Sequence, residues 1–220
     1  MATVEASSAV GATLADVLQH LGDISPSRIR FRPALGTATE ADVPAIHDHE
    51  GRLYELVDGI LVEKGMGFLE SLLAAALIAL LRAFVLQRRL GIVTGEAGTM
   101  RLAAGLVRIP DVAFIAWERL PNRRILSQPI PDVVPNLAVE VLSVSNTAGE
   151  MLRKRQEYFD ASVQLLWQID PQSRTVEVFT SPEHATFLHA AQTLDGGSVL
   201  PGFSLPLHTL FAELDLQGEA

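Results

Sequence analysis

The segment Leu137-Ala138-Val139-Glu140-Val141-Leu142 is apolar at every position except one. As a strand it sends Leu137, Val139 and Val141 to one face and Ala138, Glu140 and Leu142 to the other. A run apolar on both faces belongs in a sheet covered on both sides, which restricts the chain to layers of helix and sheet around a shared core. Glu140 is then a carboxylate on a covered face, costly unless it is paired, hydrogen-bonded or bound to a metal. An edge strand showing Glu140 to water is the other arrangement this pattern allows.

A chain of 220 residues suggests one domain with a small appendage, long enough to bury a substantial core. Hydrophobic residues at 48% and charged residues at 20% exclude a disordered or low-complexity chain. The formal net charge of −9 disfavours gripping nucleic acid by bulk charge. Without cysteine there is no thiol nucleophile, thiolate metal site or disulfide, and the reducing cytoplasm is the expected compartment. Met1 to Asp16 lacks the basic start and long apolar stretch of a secretory leader. The most apolar run, Leu72 to Leu81, is about half of the roughly 20 residues a membrane span needs, so it reads as a buried core helix with no membrane partner.

Residues 1–50 differ in character from residues 51–220. Leu14, Val17, Leu18 and Leu21 recur at helical spacing and Gly22 stops them, after which Pro26, Pro33, Gly36 and Pro44 suggest an extended arm over the surface. From Leu53, two alternating runs flank Asp58-Gly59, the signature of a type I′ hairpin. A helix follows from about Gly67 to Arg89, with Gly91 as its stop. Strands are expected near 92–94, 99–102, 111–116 and 136–142, a helix over 148–161, a strand pair over 164–169 and 175–179, and edge strands in the tail. The order describes an α/β or α+β sheet with helices packed on it.

Two further charged residues stand out beside Glu140. Asp111 follows Pro110 at the mouth of Val112-Ala113-Phe114-Ile115-Ala116, well placed to face a cleft, although a lone Pro-Asp more often marks a turn. Met151, Lys154, Tyr158 and Ala161 form an inward helical stripe, so Lys154 either enters the interior or snorkels past the core edge. Two carboxylates and a lysine outline a phosphodiester hydrolysis site: Asp and Glu oxygens hold Mg²⁺, and an ammonium steadies phosphate charge or positions the attacking water.

Tyr54-Glu55-Leu56-Val57-Asp58-Gly59, Arg108-Ile109-Pro110-Asp111-Val112-Ala113, Val139-Glu140-Val141-Leu142-Ser143, Lys154 with Tyr158, and Leu166-Trp167-Gln168-Ile169-Asp170-Pro171 resemble, in order and spacing, the Uma-type restriction endonuclease family. The resemblance covers about Gly51 to Phe179. It implies a branch of the PD-(D/E)xK nucleases: a restriction-endonuclease-like mixed sheet flanked by helices, with Mg²⁺ or Mn²⁺ as cofactor. By the same resemblance Asp111 and Glu140 are the metal carboxylates. Lys154 is the lysine moved onto the following helix, which accounts for Leu142 standing two residues after Glu140. Glu55 and Glu70 are further catalytic candidates, the latter where much of the family carries a histidine. DNA as substrate and a homodimer are implied by analogy.

No Gly-x-Ser-x-Gly elbow, phosphate loop or Gly-x-Gly-x-x-Gly turn is present, so triad hydrolases, nucleotide triphosphatases and dinucleotide enzymes lose support. His47-Asp48-His49-Glu50 reads as a solvated loop rather than a metal cluster, and the arginine groups read as solvated faces as readily as phosphate contacts. The other class of function is a catalytically inactive nuclease-fold protein acting as an interaction or regulatory module. The two diverge on geometry: a shared metal site requires the Asp111 and Glu140 carboxyl groups within about 4 to 6 Å. Clustered carboxylates repel without metal, so Glu140→Gln is expected to stabilise the metal-free fold.

Overall fold

A computed structural model of the protein describes residues 13–65 and 67–217. The stretch read as lacking a leader therefore lies, up to residue 12, outside the described residues. In chain order the elements are α1 (Leu14–His20), β1 (Ile29–Arg30), α2 (Asp42–Glu50), β2 (Tyr54–Val57), β3 (Ile60–Glu63), α3 (Phe68–Arg88), β4 (Gly91–Thr94), β5 (Met100–Ala103), β6 (Leu106–Arg108), β7 (Val112–Ala116) and β8 (Leu137–Val141). There follow α4 (Ala148–Asp160), β9 (Leu165–Asp170), β10 (Thr175–Phe179), β11 (Ala185–His189), β12 (Thr193–Gly196), β13 (Leu200–Pro206) and α5 (Leu207–Phe211).

The strands form a six-stranded sheet in the order β11-β10-β9-β8-β7-β4, a five-stranded sheet in the order β1-β3-β2-β6-β5, and the pair β12-β13. Within the six-stranded sheet only β8 and β9 run parallel, and α4 makes the crossover between them. β8 is central and covered on both faces. Val139 and Val141 pack in a core with Leu73, Leu77 and Leu81 of α3, while Ala138 packs with Tyr158 of α4. The two-sided apolar run is thus explained, and the edge-strand arrangement does not occur.

Asp58 and Gly59 both take positive φ, 49° and 74°, as the β2–β3 hairpin requires. α3 ends at Arg89, which adopts the left-handed conformation at φ 56° in place of the glycine expected to stop it. Gly91 instead opens β4, where a Cβ would come within 2.0 Å of the Ile115 carbonyl oxygen. α3 buries Leu73, Leu77, Leu81 and Val85 but leaves Phe68, Leu69, Leu80 and Leu86 exposed, so the expected core helix buries one face only. By length and composition it could cross a membrane, yet its buried face packs on β4, β7 and β8.

The stretch expected as an extended arm folds into the body. β1 pairs with β3, and Asp42–Glu50 forms a helix whose Val43 and Ile46 pack on Tyr54 and Leu56. Pro44 is tolerated because it lies in the first turn, where its missing N–H leaves no bond unmade. The tetrad His47 to Glu50 is solvent-exposed, but as the last turn of this helix rather than a loop. Arg28 ties the segment to α4, donating from its terminal nitrogens to both Glu150 oxygens at 2.9 and 2.8 Å, with both side chains buried. Removing one partner leaves a buried charge unpaired. Arg28→Met is expected to cost about 3 kcal/mol in urea denaturation.

Candidate active site

Antiparallel pairing of β7 with β8 puts Val112 opposite Val139, and one step further along that register Asp111 faces Glu140. Two carboxylates directly opposite on one face repel. Both are almost fully buried, which removes the water that would screen them.

Each carboxylate is held by one oxygen. The Val141 N–H donates to Asp111 Oδ2 at 2.6 Å, and the Tyr158 hydroxyl donates to Glu140 Oε1 at 2.6 Å. The other two oxygens converge on one ammonium: Lys64 Nζ lies 2.8 Å from Asp111 Oδ1 and 3.3 Å from Glu140 Oε2. The carboxyl groups are therefore close enough to share a cation.

Lys154 points inward from α4 and does not snorkel. Its Nζ sits 3.1 Å from Glu140 Oε2 and 3.2 Å from Glu55 Oε1, linking the two main sheets. Glu55, on β2, is wholly buried and also accepts from Arg108 at 2.7 Å and from the Ile109 N–H at 3.1 Å. Arg108 in turn donates to Glu157 of α4 at 2.8 Å. Thus Asp111, Glu140, Lys154 and Glu55 come together. Glu70 does not join them: it makes no hydrogen bond or ion pair with the cluster, and its carboxylate folds back over Gly67 at the start of α3.

Burial alone would raise the Glu55 carboxyl, but Lys154, Arg108 and Lys64, helped by the Ile109 N–H, hold it well below the usual carboxylate range. Burial also penalises the Lys64 ammonium, yet Glu140, Asp111 and Glu55 outweigh it and keep the group charged, above its ordinary value. Asp111 moves the other way. Burial pushes its carboxyl up and the Glu140 charge adds to this, against Lys64 and the Val141 N–H. The partners differ because Lys64 faces three carboxylates, whereas Asp111 has one ammonium and a like-charged neighbour. Tyr158 is pushed well above its usual value, first by burial and then by Glu140 and Glu55, so it remains a donor.

Lys64 and Arg108 were not among the residues singled out from the sequence. Arg108 lies in a motif quoted for the resemblance but looks like a strand-end charge. Lys64 follows the hairpin beside Gly65 and looks like part of a turn. The signal that could have found it is parity: Val62 pairs with Glu55, and Lys64, two residues on, falls on the same face while its N–H still bonds the Leu53 carbonyl.

The donor set fits a divalent cation at Asp111 Oδ1 and Glu140 Oε2, two hard oxygens aimed at one point. Among the described residues no group of three or more His, Cys, Asp or Glu side chains converges in this way, so the protein would supply two ligands and water the rest. A cleft of about 520 Å³ runs beside α4, lined in part by Ser143, Thr147, Met151, Arg155 and Gln168. Gln168 pairs in register with Glu140, but none of Lys64, Asp111, Glu140 and Lys154 lines the cleft, so it is a neighbour of the cluster rather than its mouth.

A family model described as "Putative restriction endonuclease" and designated Uma2 matches residues 38–208. Among solved structures, the chain is similar to one described as a "putative nuclease belonging to DUF820" from Anabaena variabilis, with a TM-score of 0.66 and 20% identity, covering 74% of this chain and 91% of that one. That likeness shows that the two share an α+β fold. A comparison with curated proteins returned no match.

The structure reverses the sign expected for Glu140→Gln. Glu140 does not stand against bare carboxylates but between two ammonium groups and a hydroxyl donor. The substitution is expected to destabilise the metal-free protein, by on the order of 3 kcal/mol in chemical denaturation.

Proposed function

The chain belongs to the Uma2 family, and from that membership and the convergent carboxylates we propose that it is a divalent-metal-dependent endonuclease hydrolysing phosphodiester bonds in DNA. The observation that carries this reading is the paired orientation of Asp111 and Glu140. Each has one oxygen pinned by a buried donor and the other directed at a single cation position.

Asp111 and Glu140 would hold Mg²⁺ or Mn²⁺ there. A metal so bound supplies a Lewis acid for a phosphoryl oxygen and lowers the pKa of a coordinated water. The chain's own groups do the rest. The Val141 N–H and the Tyr158 hydroxyl keep the carboxylates from rotating, so the remaining oxygen of each stays directed at the cation position. Glu55 anchors the Lys154 ammonium beside Glu140, where it can stabilise negative charge on a phosphate and restrain the attacking water. Arg108 neutralises the far oxygen of Glu55, leaving Lys154 its cationic charge to offer.

One observation favours the second reading, a nuclease-fold protein without catalysis acting as an interaction or regulatory module: Lys64 already neutralises the pair that a metal would bridge. The readings part on cleavage. Plasmid DNA, linear duplex and RNA incubated with Mg²⁺ or Mn²⁺ should show metal-dependent nicking of DNA, lost by at least about a hundredfold in Asp111→Ala and in Lys154→Met. No cleavage of any substrate by the wild type would remove the catalytic reading.

A homodimer, acting on two strands in a cytoplasm suited to a cysteine-free chain, completes the proposal. It is supported by the exposed apolar residues of α3, including Leu80 and Leu86. Sedimentation should give a dimer that Leu80→Glu shifts to monomer.

A further inference from the structure

Asp111 and Glu140 face one another across two antiparallel strands with almost no exposure, an arrangement that needs a cation to persist. Lys154 does not fill that role alone, because it reaches Glu140 and Glu55 but is not paired with Asp111. Lys64 touches both members of the pair, and it does so through the two oxygens that Val141 and Tyr158 leave free.

We propose that Lys64 is the resident counter-ion of this pair: its ammonium holds the cation position in the metal-free protein, and a divalent ion enters only as that ammonium leaves, so Lys64 sets the metal affinity. The inference rests on the metal-dependent reading above. A carboxylate-bound Mg²⁺ sits about 2.0–2.1 Å from each oxygen, and no second cation can share that point. The exchange is favoured by charge. At the pair itself Lys64 sets one positive charge against the two carboxylates of Asp111 and Glu140, where a divalent ion would set two.

The exchange is also mechanically simple. Lys64 lies one residue beyond β3 and its backbone is fixed by the bond to Leu53, so only the flexible four-carbon stem has to move. Lys154, on a buried helical stripe and held by Glu55, stays where the chemistry needs it.

The test is isothermal titration of the full chain with MgCl₂ and MnCl₂, wild type against Lys64→Met, with thermal melts of both. Lys64→Met should bind Mn²⁺ at least about tenfold more tightly, melt lower without metal, and gain more on adding it. Metal binding by the wild type with equal or weaker binding by Lys64→Met overturns the inference and leaves the metal-dependent reading standing. Uptake by Lys64→Met alone supports the inference while overturning that reading for this chain, and uptake by neither overturns both. Should Lys64→Met fail to fold, reductive methylation of the wild type followed by mass spectrometry gives the same answer. Lys64 should be protected without metal and modified at saturating Mn²⁺, and unchanged protection overturns the inference.

Discussion

Lys154 Nζ, 3.1 Å from Glu140 and 3.2 Å from Glu55, is the contact on which the molecule's organisation depends. Glu140 comes from the six-stranded sheet, Glu55 from the five-stranded sheet and Lys154 from the helix crossing between β8 and β9. None of the three is tolerable in the interior alone, since an unpaired buried charge costs several kcal/mol. Their mutual satisfaction therefore fixes how the sheets and α4 meet. Arg108 extends the constraint, joining Glu55 to Glu157 and so β6 to α4.

The same electrostatics shape the site. Carboxylates that only balanced the charge of lysines could adopt many rotamers. Here the Val141 N–H and the Tyr158 hydroxyl hold one oxygen of each, so the other oxygen of each group is directed at the lysines. On the proposed metal-dependent reading, stability and chemistry draw on one arrangement and compete in it. The ammonium of Lys64 that stabilises the metal-free interior stands where a catalytic cation would stand.

Much of the core was legible from pattern alone. The hairpin at Asp58-Gly59, the helix over 148–161 and the strand at 136–142 all rest on local signals, positive-φ residues and hydrophobic period, and appear close to where those signals put them. The helix Asp42–Glu50 was not legible. Its amphipathic character is weak and it contains Pro44, so it forms because Val43 and Ile46 find a surface on Tyr54 and Leu56 of the neighbouring strand, outside the helix's own local pattern. Likewise the stop of α3 moved from Gly91 to Arg89, because the close approach of the Ile115 carbonyl reserves the glycine for β4.

For the site, Glu140 and Lys154 were visible because each is a charge on a strand face or helical stripe whose periodicity points inward, a conflict the sequence displays without any fold, whereas Asp111 stood out by its place at a strand mouth and by the family resemblance. That conflict determined that these groups must be paired. It did not determine the partners. Lys64 and Arg108 occupy positions that locally look like strand ends, and Glu70 looks as well placed as Glu55 until α3 carries it to its own N-terminus. Which charges meet depends on the register between strands and on how two sheets are docked. Those are long-range relations, decided by where buried carboxylates find cations rather than by any residue's neighbours along the chain.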